Sequence, residues 1–109
     1  IGVSTHTPAD VQQAIDAGAD YIGCGPTFPS PTKSFEAYAG LDFLQQAASV
    51  CSVPAFAIGG IEIGNVESVL KTGFQRIAVS SAIWSQSDPV QATRLLRQRL
   101  VPDSNGPRA

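Results

Sequence analysis

The chain has 109 residues, of which 43% are hydrophobic and 15% are charged, which suffices for one buried core but not for two domains. Its formal charge of −2 argues against binding to nucleic acid or to a membrane surface through bulk charge. No apolar run approaches the roughly 18 residues that cross a membrane, and the two cysteines lack metal or redox spacing, so we expect a cytoplasmic protein.

The beginning of the chain predicts a strand, a helix and a second strand. Residues 1–4 are a short apolar strand candidate. Thr7 and Pro8 then predict the start of a helix, because threonine caps free backbone N–H groups and proline suits the first helical position. This helix is predicted to end at Gly18, and residues 21–24 are the second strand candidate.

The rest of the chain repeats this alternation after a long irregular segment. Residues 25–40 contain three prolines, which disfavour regular structure there. Predicted next are a helix at 41–50, a strand at 55–58, a short helix at 65–72, a strand at 77–79 and a helix that begins at Asp88. The last helix carries the apolar residues Val90, Leu95, Leu96 and Leu100. Phe74 and Trp84 are predicted to be packing residues.

Four strand–helix units in succession predict an α/β fold with parallel strands and helices that cover the sheet. The units are compatible with a small doubly wound sheet or with half of an eight-unit (β/α)8 barrel. A half barrel would have two unpaired strand edges. We expect one domain over residues 1–101 and a polar tail at 102–109.

The candidate site lies at the carboxyl ends of the strands, where parallel α/β folds bind ligands. The residues expected there are small, hydroxylic or basic: Ser4, His6, Lys33, Gly59, Gly60, Ser80 and Ser81. Glycines let backbone N–H groups approach an oxyanion, and hydroxyls donate hydrogen bonds to it. The sequence therefore predicts a phosphate-binding site.

Each of these residues also has a purely structural explanation. Two consecutive glycines after a strand usually form a tight turn, and two serines there more often cap a helix than bind a ligand. His6 can be a solvated loop residue and Lys33 a surface charge. Cys24 is interpreted as a small buried apolar residue, because no charged group adjoins it in the sequence.

Six segments, taken together, resemble the family of thiamine phosphate synthases and thiazole tautomerases. They are residues 2–7 (GVSTHT), 18–23 (GADYIG), 25–28 (GPTF), 30–33 (SPTK), 57–61 (AIGGI) and 79–83 (VSSAI). The resemblance runs from residue 1 to about residue 101 and implies the C-terminal half of a TIM (β/α)8 barrel. The chain also contains no methionine, so we expect it to be a piece of a longer protein.

The resemblance implies a transferase of thiamine biosynthesis. In such a reaction a pyrimidine diphosphate loses pyrophosphate, and the ring nitrogen of a thiazole phosphate attacks the resulting carbocation to give thiamine phosphate. The protein must neutralise the leaving group, align the two rings and exclude water. Mg²⁺ is expected for the complete family enzyme, but its ligands belong to the first four units, so we expect no metal ligand in this chain.

The same resemblance assigns roles to residues of this sequence. Ser4 would contact the pyrimidine diphosphate, and Lys33 would hold the departing pyrophosphate as a point charge. Ser30 and Thr32 would line the thiazole side. The thiazole phosphate would be held by Gly59, Gly60, Ser80 and Ser81. His6 matches a position at which the tautomerase branch has a histidine suited to proton transfer.

Three hypotheses follow from this resemblance. In the first, the chain is a synthase half that binds thiazole phosphate and is inactive alone, because the first four units are missing. In the second, it is a thiazole tautomerase, which needs no Mg²⁺ and depends on His6. In the third, it is a non-catalytic half-barrel module that pairs with a second copy or with a missing N-terminal half, since open strand edges promote association.

Overall fold

A computed structural model of the chain describes residues 1–28, 40–79 and 81–100. The described part alternates strands and helices and ends with two successive helices. The strands are β1 (Gly2–Thr5), β2 (Tyr21–Cys24), β3 (Ala55–Ile58) and β4 (Ile77–Ala78). The helices are α1 (Pro8–Asp16), α2 (Gly40–Val50), α3 (Val66–Lys71), α4 (Ser81–Trp84) and α5 (Pro89–Leu100).

The four strands form one parallel sheet in the order β1-β2-β3-β4. In its register Val3 lies opposite Ile22, and Ile22 lies opposite Ala55. Sequential order with parallel pairing is the arrangement of consecutive βα units in a (β/α)8 barrel. The predicted fold class of four consecutive βα units is therefore confirmed.

Helix α1 begins where its sequence predicts, because a reciprocal cap fixes its first turn. The Asp10 backbone N–H donates to Oγ1 of Thr7 at 3.1 Å, and the Thr7 backbone N–H donates to Oδ2 of Asp10 at 3.2 Å. Pro8 occupies the first turn, where its missing N–H costs no helical hydrogen bond. The chain leaves the helix at Gly18, whose φ of +86° lies in the left-handed region that suits glycine.

The sheet has one covered face and one open face. On the covered face Ile22, Cys24 and Ala57 are fully buried, together with Val11 of α1, Leu44 of α2 and Val69 of α3. On the open face Tyr21 is 48% exposed and Ile58 is 47% exposed. The Tyr21 and Phe56 rings meet edge to face there, 6.0 Å apart. The buried apolar residues of the described strands therefore all lie on the face that the helices cover.

The C-terminal region departs most from the sequence predictions. Helix α4 was not predicted, and Trp84 at its end is 76% exposed, so the packing role expected for Trp84 is wrong. Phe74 is only 3% exposed, which confirms its predicted role. In α5 Leu96 is buried, whereas Val90 is 61% exposed. Helix α5 packs on α3 and α4.

Two further predictions concern the C-terminal tail and membrane-spanning segments. Residue 101 and the predicted polar tail at 102–109 lie outside the described residues. Within the ranges that the structure describes, no helix combines the length and apolar character needed to cross a membrane.

Candidate functional site

The carboxyl ends of the parallel strands bring several predicted site residues to one edge of the sheet. Ser4 lies near the end of β1 opposite Gly23 of β2, and its side chain is exposed. His6 follows the end of β1, and Gly59 and Gly60 follow the end of β3. Ser81 is the first residue of α4, shortly after β4. We call this edge of the sheet the rim.

The other predicted site residues lie outside the part of the chain that the structure describes. They are Ser30, Thr32, Lys33 and Ser80. Their assignments therefore remain predictions.

The turn after β3 requires glycine at two successive positions. Gly59 has a φ of +103° and Gly60 a φ of +70°, both in the left-handed region. A Cβ atom on Gly59 would lie 2.7 Å from Cα of Pro26, and one on Gly60 would lie 3.0 Å from Cβ of Phe28. The two glycines thus allow the turn to pack directly against residues 26–28.

Three consecutive carbonyl groups of this turn accept hydrogen bonds from its surroundings. The Ile58 carbonyl accepts from Thr27 twice, from the backbone N–H at 2.9 Å and from Oγ1 at 3.0 Å. The Gly59 carbonyl accepts from the Phe28 backbone N–H at 3.1 Å. The Gly60 carbonyl accepts from Nδ2 of Asn65 at 2.9 Å. The acceptors of the turn are therefore all occupied.

Two of the backbone N–H groups in the same peptide units are in the opposite situation. Those of Gly60 and Ile61 find no acceptor among the residues that the structure describes. The Gly59 N–H instead faces β4, where Ala78 is paired with Ile58. Because the carbonyl and N–H of a trans peptide point in opposite directions, the Gly60 and Ile61 donors point away from the residues that hold the carbonyls. Successive free backbone N–H groups provide hydrogen bonds and partial positive charge to an anion. The turn is thus suited to hold an oxyanion.

A hydrogen bond to the backbone orients the His6 ring at the rim. Its Nδ1 lies 2.6 Å from the carbonyl oxygen of Gly25, and since a carbonyl only accepts, Nδ1 carries the proton. Nε2 of the neutral ring is then left with a lone pair that can accept a proton. The His6 backbone N–H donates to Oδ2 of Asp10 at 2.9 Å, so the cap of α1 also holds the His6 backbone.

With this geometry in place, comparison with known proteins identifies the family. The family model described as thiamine monophosphate synthase matches residues 1–83. The chain belongs to this family. The resemblance predicted from the six sequence segments is thereby confirmed.

The thiamine monophosphate synthase relatives are longer than this chain. Thiamine-phosphate synthase of Thermosynechococcus vestitus is 45% identical over 100 residues, which are 92% of this chain and 28% of the relative. The corresponding enzyme of Thermus thermophilus is 43% identical over 101 residues, 92% of this chain and 49% of the relative. Thiamine phosphate pyrophosphorylase of Pyrococcus furiosus superposes with a TM-score of 0.83 at 37% identity, over 92% of this chain and 48% of that structure. The chain therefore spans about a quarter to a half of the length of these relatives.

The acidic residues in the described part of this family member do not gather into a metal site. Asp10 caps α1, and Asp16 accepts from Nε2 of Gln12 at 2.9 Å near the other end of that helix. Asp42 is an exposed residue in the first turn of α2. Across residues 1–28, 40–79 and 81–100 there is no group of three or more His, Cys, Asp and Glu residues that could hold a metal ion. The described residues thus do not fit Mg²⁺.

Cys24 has a structural role. Its side chain is fully buried, and Oγ1 of Thr5 lies 3.4 Å from its Sγ. Burial raises the pKa of the Cys24 thiol, with a smaller opposing effect from the Thr5 hydrogen bond. A thiol held protonated is a poor nucleophile, which agrees with the interpretation of Cys24 as a small apolar core residue.

A cavity of about 410 Å³ beside the turn has the wrong charge for phosphate. It lies between the residues after Ile61 and the helices α4 and α5, and its lining includes Ile63, Leu95 and Gln86. Glu62 and Asp88 also line it, and two carboxylates repel an anion. The free amides of the turn are therefore the better candidate for the phosphate-binding element.

Two residues of the candidate site have only a weak signal in the sequence. Thr27 and Asn65 hold the carbonyls of the turn, yet neither was singled out for the site. The signal in the sequence is an asparagine five residues after Gly60. That signal is weak, because an asparagine before a helix is usually its cap.

Proposed function

We propose that this chain is the part of a thiamine phosphate synthase that binds thiazole phosphate. The turn after β3 would hold the phosphate group through the backbone N–H groups of Gly60 and Ile61. One observation carries the proposal: the carbonyls of the turn are all engaged by neighbouring residues, while the Gly60 and Ile61 N–H groups have no acceptor within the described residues. Membership in the family supplies the chemical class of the ligand.

The proposed reaction joins the thiazole to a pyrimidine. The bond between the pyrimidine methylene carbon and the diphosphate oxygen breaks, and pyrophosphate leaves with the electron pair. The thiazole ring nitrogen then donates its lone pair to that carbon, which gives thiamine phosphate. The position of Ser4 on the open face, at the same rim as the turn, supports its proposed contact with the pyrimidine diphosphate.

The remaining roles are proposed from the family resemblance. Lys33 would hold the departing pyrophosphate, and Ser30 and Thr32 would line the thiazole side. Ser80 and Ser81 would join the turn at the thiazole phosphate. Because the described residues do not fit Mg²⁺, no step of the proposal in this chain passes through a metal.

Binding is expected to be retained in this chain, whereas turnover is not. The chain covers 48% of the Pyrococcus furiosus structure, so the remaining strands of such a barrel would complete the site. With both precursors and Mg²⁺ present, we expect the chain alone to form little or no thiamine phosphate. Efficient turnover by the 109-residue chain would contradict the need for a second half.

The binding proposal is tested by calorimetric titration of the chain with thiazole phosphate, with the unphosphorylated thiazole alcohol as the matched control. We expect heat from the phosphate ester and from inorganic phosphate, and much weaker binding of the alcohol. Equal affinity for the ester and the alcohol would overturn the phosphate-binding role of the turn. Absence of binding by the ester would overturn the proposed function itself.

Thiazole tautomerase is the second candidate, and the His6 geometry favours it. The Gly25 carbonyl fixes the proton on Nδ1 and leaves Nε2 as an acceptor. Such a group can remove a proton from one position of a ring and return it to another. His6→Gln is expected to abolish tautomerisation and leave phosphate affinity unchanged. Tautomerase activity that survives in this variant would remove the candidate.

Pairing of two copies is the third possibility. Within the described sheet β1 and β4 are the edge strands, and the open face exposes Tyr21 and Ile58. Two copies joined edge to edge would close eight strands with twofold symmetry. Sedimentation equilibrium tests this, since a dimer is expected at high concentration. A monomer at every concentration would contradict it.

A further inference from the structure

The side chain of Asn65 makes hydrogen bonds to the turn after β3 on both sides of Ile61. Its Nδ2 donates to the Gly60 carbonyl at 2.9 Å, and its Oδ1 accepts from the Glu62 backbone N–H at 2.8 Å. One amide group thus bridges two backbone groups that flank a single residue. The bridge fixes the orientation of the peptide unit between Gly60 and Ile61.

The position of Asn65 in the chain would ordinarily indicate a helix cap. Asn65 precedes α3 directly, and asparagine is a favoured residue at that place. Its side chain nevertheless makes no capping hydrogen bond to the helix. Both polar atoms of the amide face the turn instead, so Asn65 acts on the turn rather than on the start of α3.

The orientation of this peptide unit decides whether the turn presents a donor or an acceptor. With the Gly60 carbonyl bonded to Asn65, the Ile61 N–H points the opposite way. Glycine at a φ of +70° has few steric barriers to rotation of the adjoining peptide. A rotated peptide would direct the Gly60 oxygen to where the Ile61 N–H had pointed and would repel an anion there.

From these contacts we infer that Asn65 is a positioning residue for phosphate binding. Each of its polar atoms bonds to the backbone of the turn, so its effect on the anion runs through the orientation of the Ile61 N–H. The inference rests on the proposed function, because it assumes that the free amides of the turn hold phosphate. It adds a specific residue that selects the binding-competent form of the turn.

The test compares Asn65→Ala with Thr72→Ala. Thr72 ends the same helix, and its Oγ1 donates to the Val69 carbonyl at 2.6 Å, so each substitution removes side-chain hydrogen bonds to the backbone at one end of α3. Asn65→Ala is expected to weaken the affinity for inorganic phosphate and for thiazole phosphate on the order of tenfold. Thr72→Ala is expected to leave both affinities unchanged.

A spectroscopic measurement separates positioning from general loss of stability. In ¹⁵N-labelled unaltered chain, phosphate is expected to shift the amide resonances of Gly60 and Ile61. In Asn65→Ala the shift of Ile61 should be lost, whereas that of Gly60 should persist at higher phosphate concentration. The Gly60 N–H should keep its orientation in Asn65→Ala, because the carbonyl of the same peptide unit, that of Gly59, still accepts from the Phe28 backbone N–H.

The outcomes distinguish this inference from the proposed function. If the unaltered chain binds phosphate and Asn65→Ala binds it equally well, the role of Asn65 is overturned and the proposed function stands. If both variants of α3 lose affinity alike, the effect is one of stability and the positioning role is again overturned. If the unaltered chain binds neither ligand, the proposed function fails and this inference fails with it.

Discussion

The two faces of the sheet differ in what their residues do. The covered face buries Ile22 completely, together with Cys24 and Ala57, whereas the open face leaves the equally large Ile58 47% exposed. Burial of apolar area stabilises a fold in proportion to the area removed from water. The stability of this chain therefore comes from one face. The rim and the open face are free to carry the binding groups.

The sharpest test of this difference uses the same substitution on both faces. Ile22→Ala is expected to lower the free energy of unfolding by about 2–5 kcal/mol, because it leaves a cavity in a fully buried site. Ile58→Ala, in a neighbouring strand, is expected to cost under about 1 kcal/mol, because half of its side chain is already exposed. Urea denaturation measures both. Similar losses would show that the open face is covered in solution.

A second test concerns the rim, where the backbone geometry of the turn after β3 is proposed to bind phosphate. Gly59→Ala introduces a side chain at positive φ and places its Cβ 2.7 Å from Cα of Pro26. We expect a loss of roughly 2–3 kcal/mol in unfolding free energy, with loss of phosphate binding.

Gly18→Ala is the matched control for this substitution. Gly18 has a φ of +86°, but no atom lies within 4 Å of the position that a Cβ would take there, so only the backbone conformation is penalised, by about 1 kcal/mol. Phosphate binding should be unchanged. If Gly59→Ala and Gly18→Ala have the same effect on unfolding free energy and on phosphate affinity, close packing against Pro26 does not shape the site.

The cap of α1 links the stability of a helix to the rim. Thr7→Ala removes the hydroxyl that accepts from the Asp10 N–H, and we expect a loss of about 1 kcal/mol in thermal or urea unfolding. Thr93→Ala is the control, since the Thr93 hydroxyl only donates back to Pro89 within α5, and its loss should be near zero. Equal effects would mean that the cap contributes nothing specific.

The smallest expected effect is a pH dependence from the covered face. Burial raises the pKa of the Cys24 thiol in the folded state, so the unfolded chain releases this proton at lower pH. Stability should therefore be constant below the unfolded thiol value of about 8.5 and fall as pH rises above it. In Cys24→Ala the free energy of unfolding should fall less steeply with pH in this range. An identical slope in both proteins would show that Cys24 does not titrate differently on folding.

Local signals in the sequence predicted much of the fold. The threonine and proline before α1 predicted its start, and the helix cap in the structure has the geometry these residues favour. The alternation of apolar and amphipathic segments predicted the four parallel strands, because such strands need a helical crossover between them. Helix α4 was missed because four residues are too few to show a helical period.

The candidate site was predicted less completely than the fold. The glycine pair was found, since two glycines after a strand are visible in the sequence. The partners of its carbonyls were not found, because Thr27 is 31 residues before Ile58 along the chain and meets it only after folding. The burial of individual residues in α5 was not predicted either, because it depends on which elements the folded chain places beside that helix.

The parallel edges of the sheet constrain how this architecture can be divided or extended. A further parallel strand cannot be joined to the sheet by a tight turn, because the connecting segment must return along the sheet over a dozen or more residues. Each added strand therefore arrives with its own crossover helix. Recombination between proteins of this architecture should thus succeed at boundaries between complete strand–helix modules and fail when a cut separates a strand from its return path.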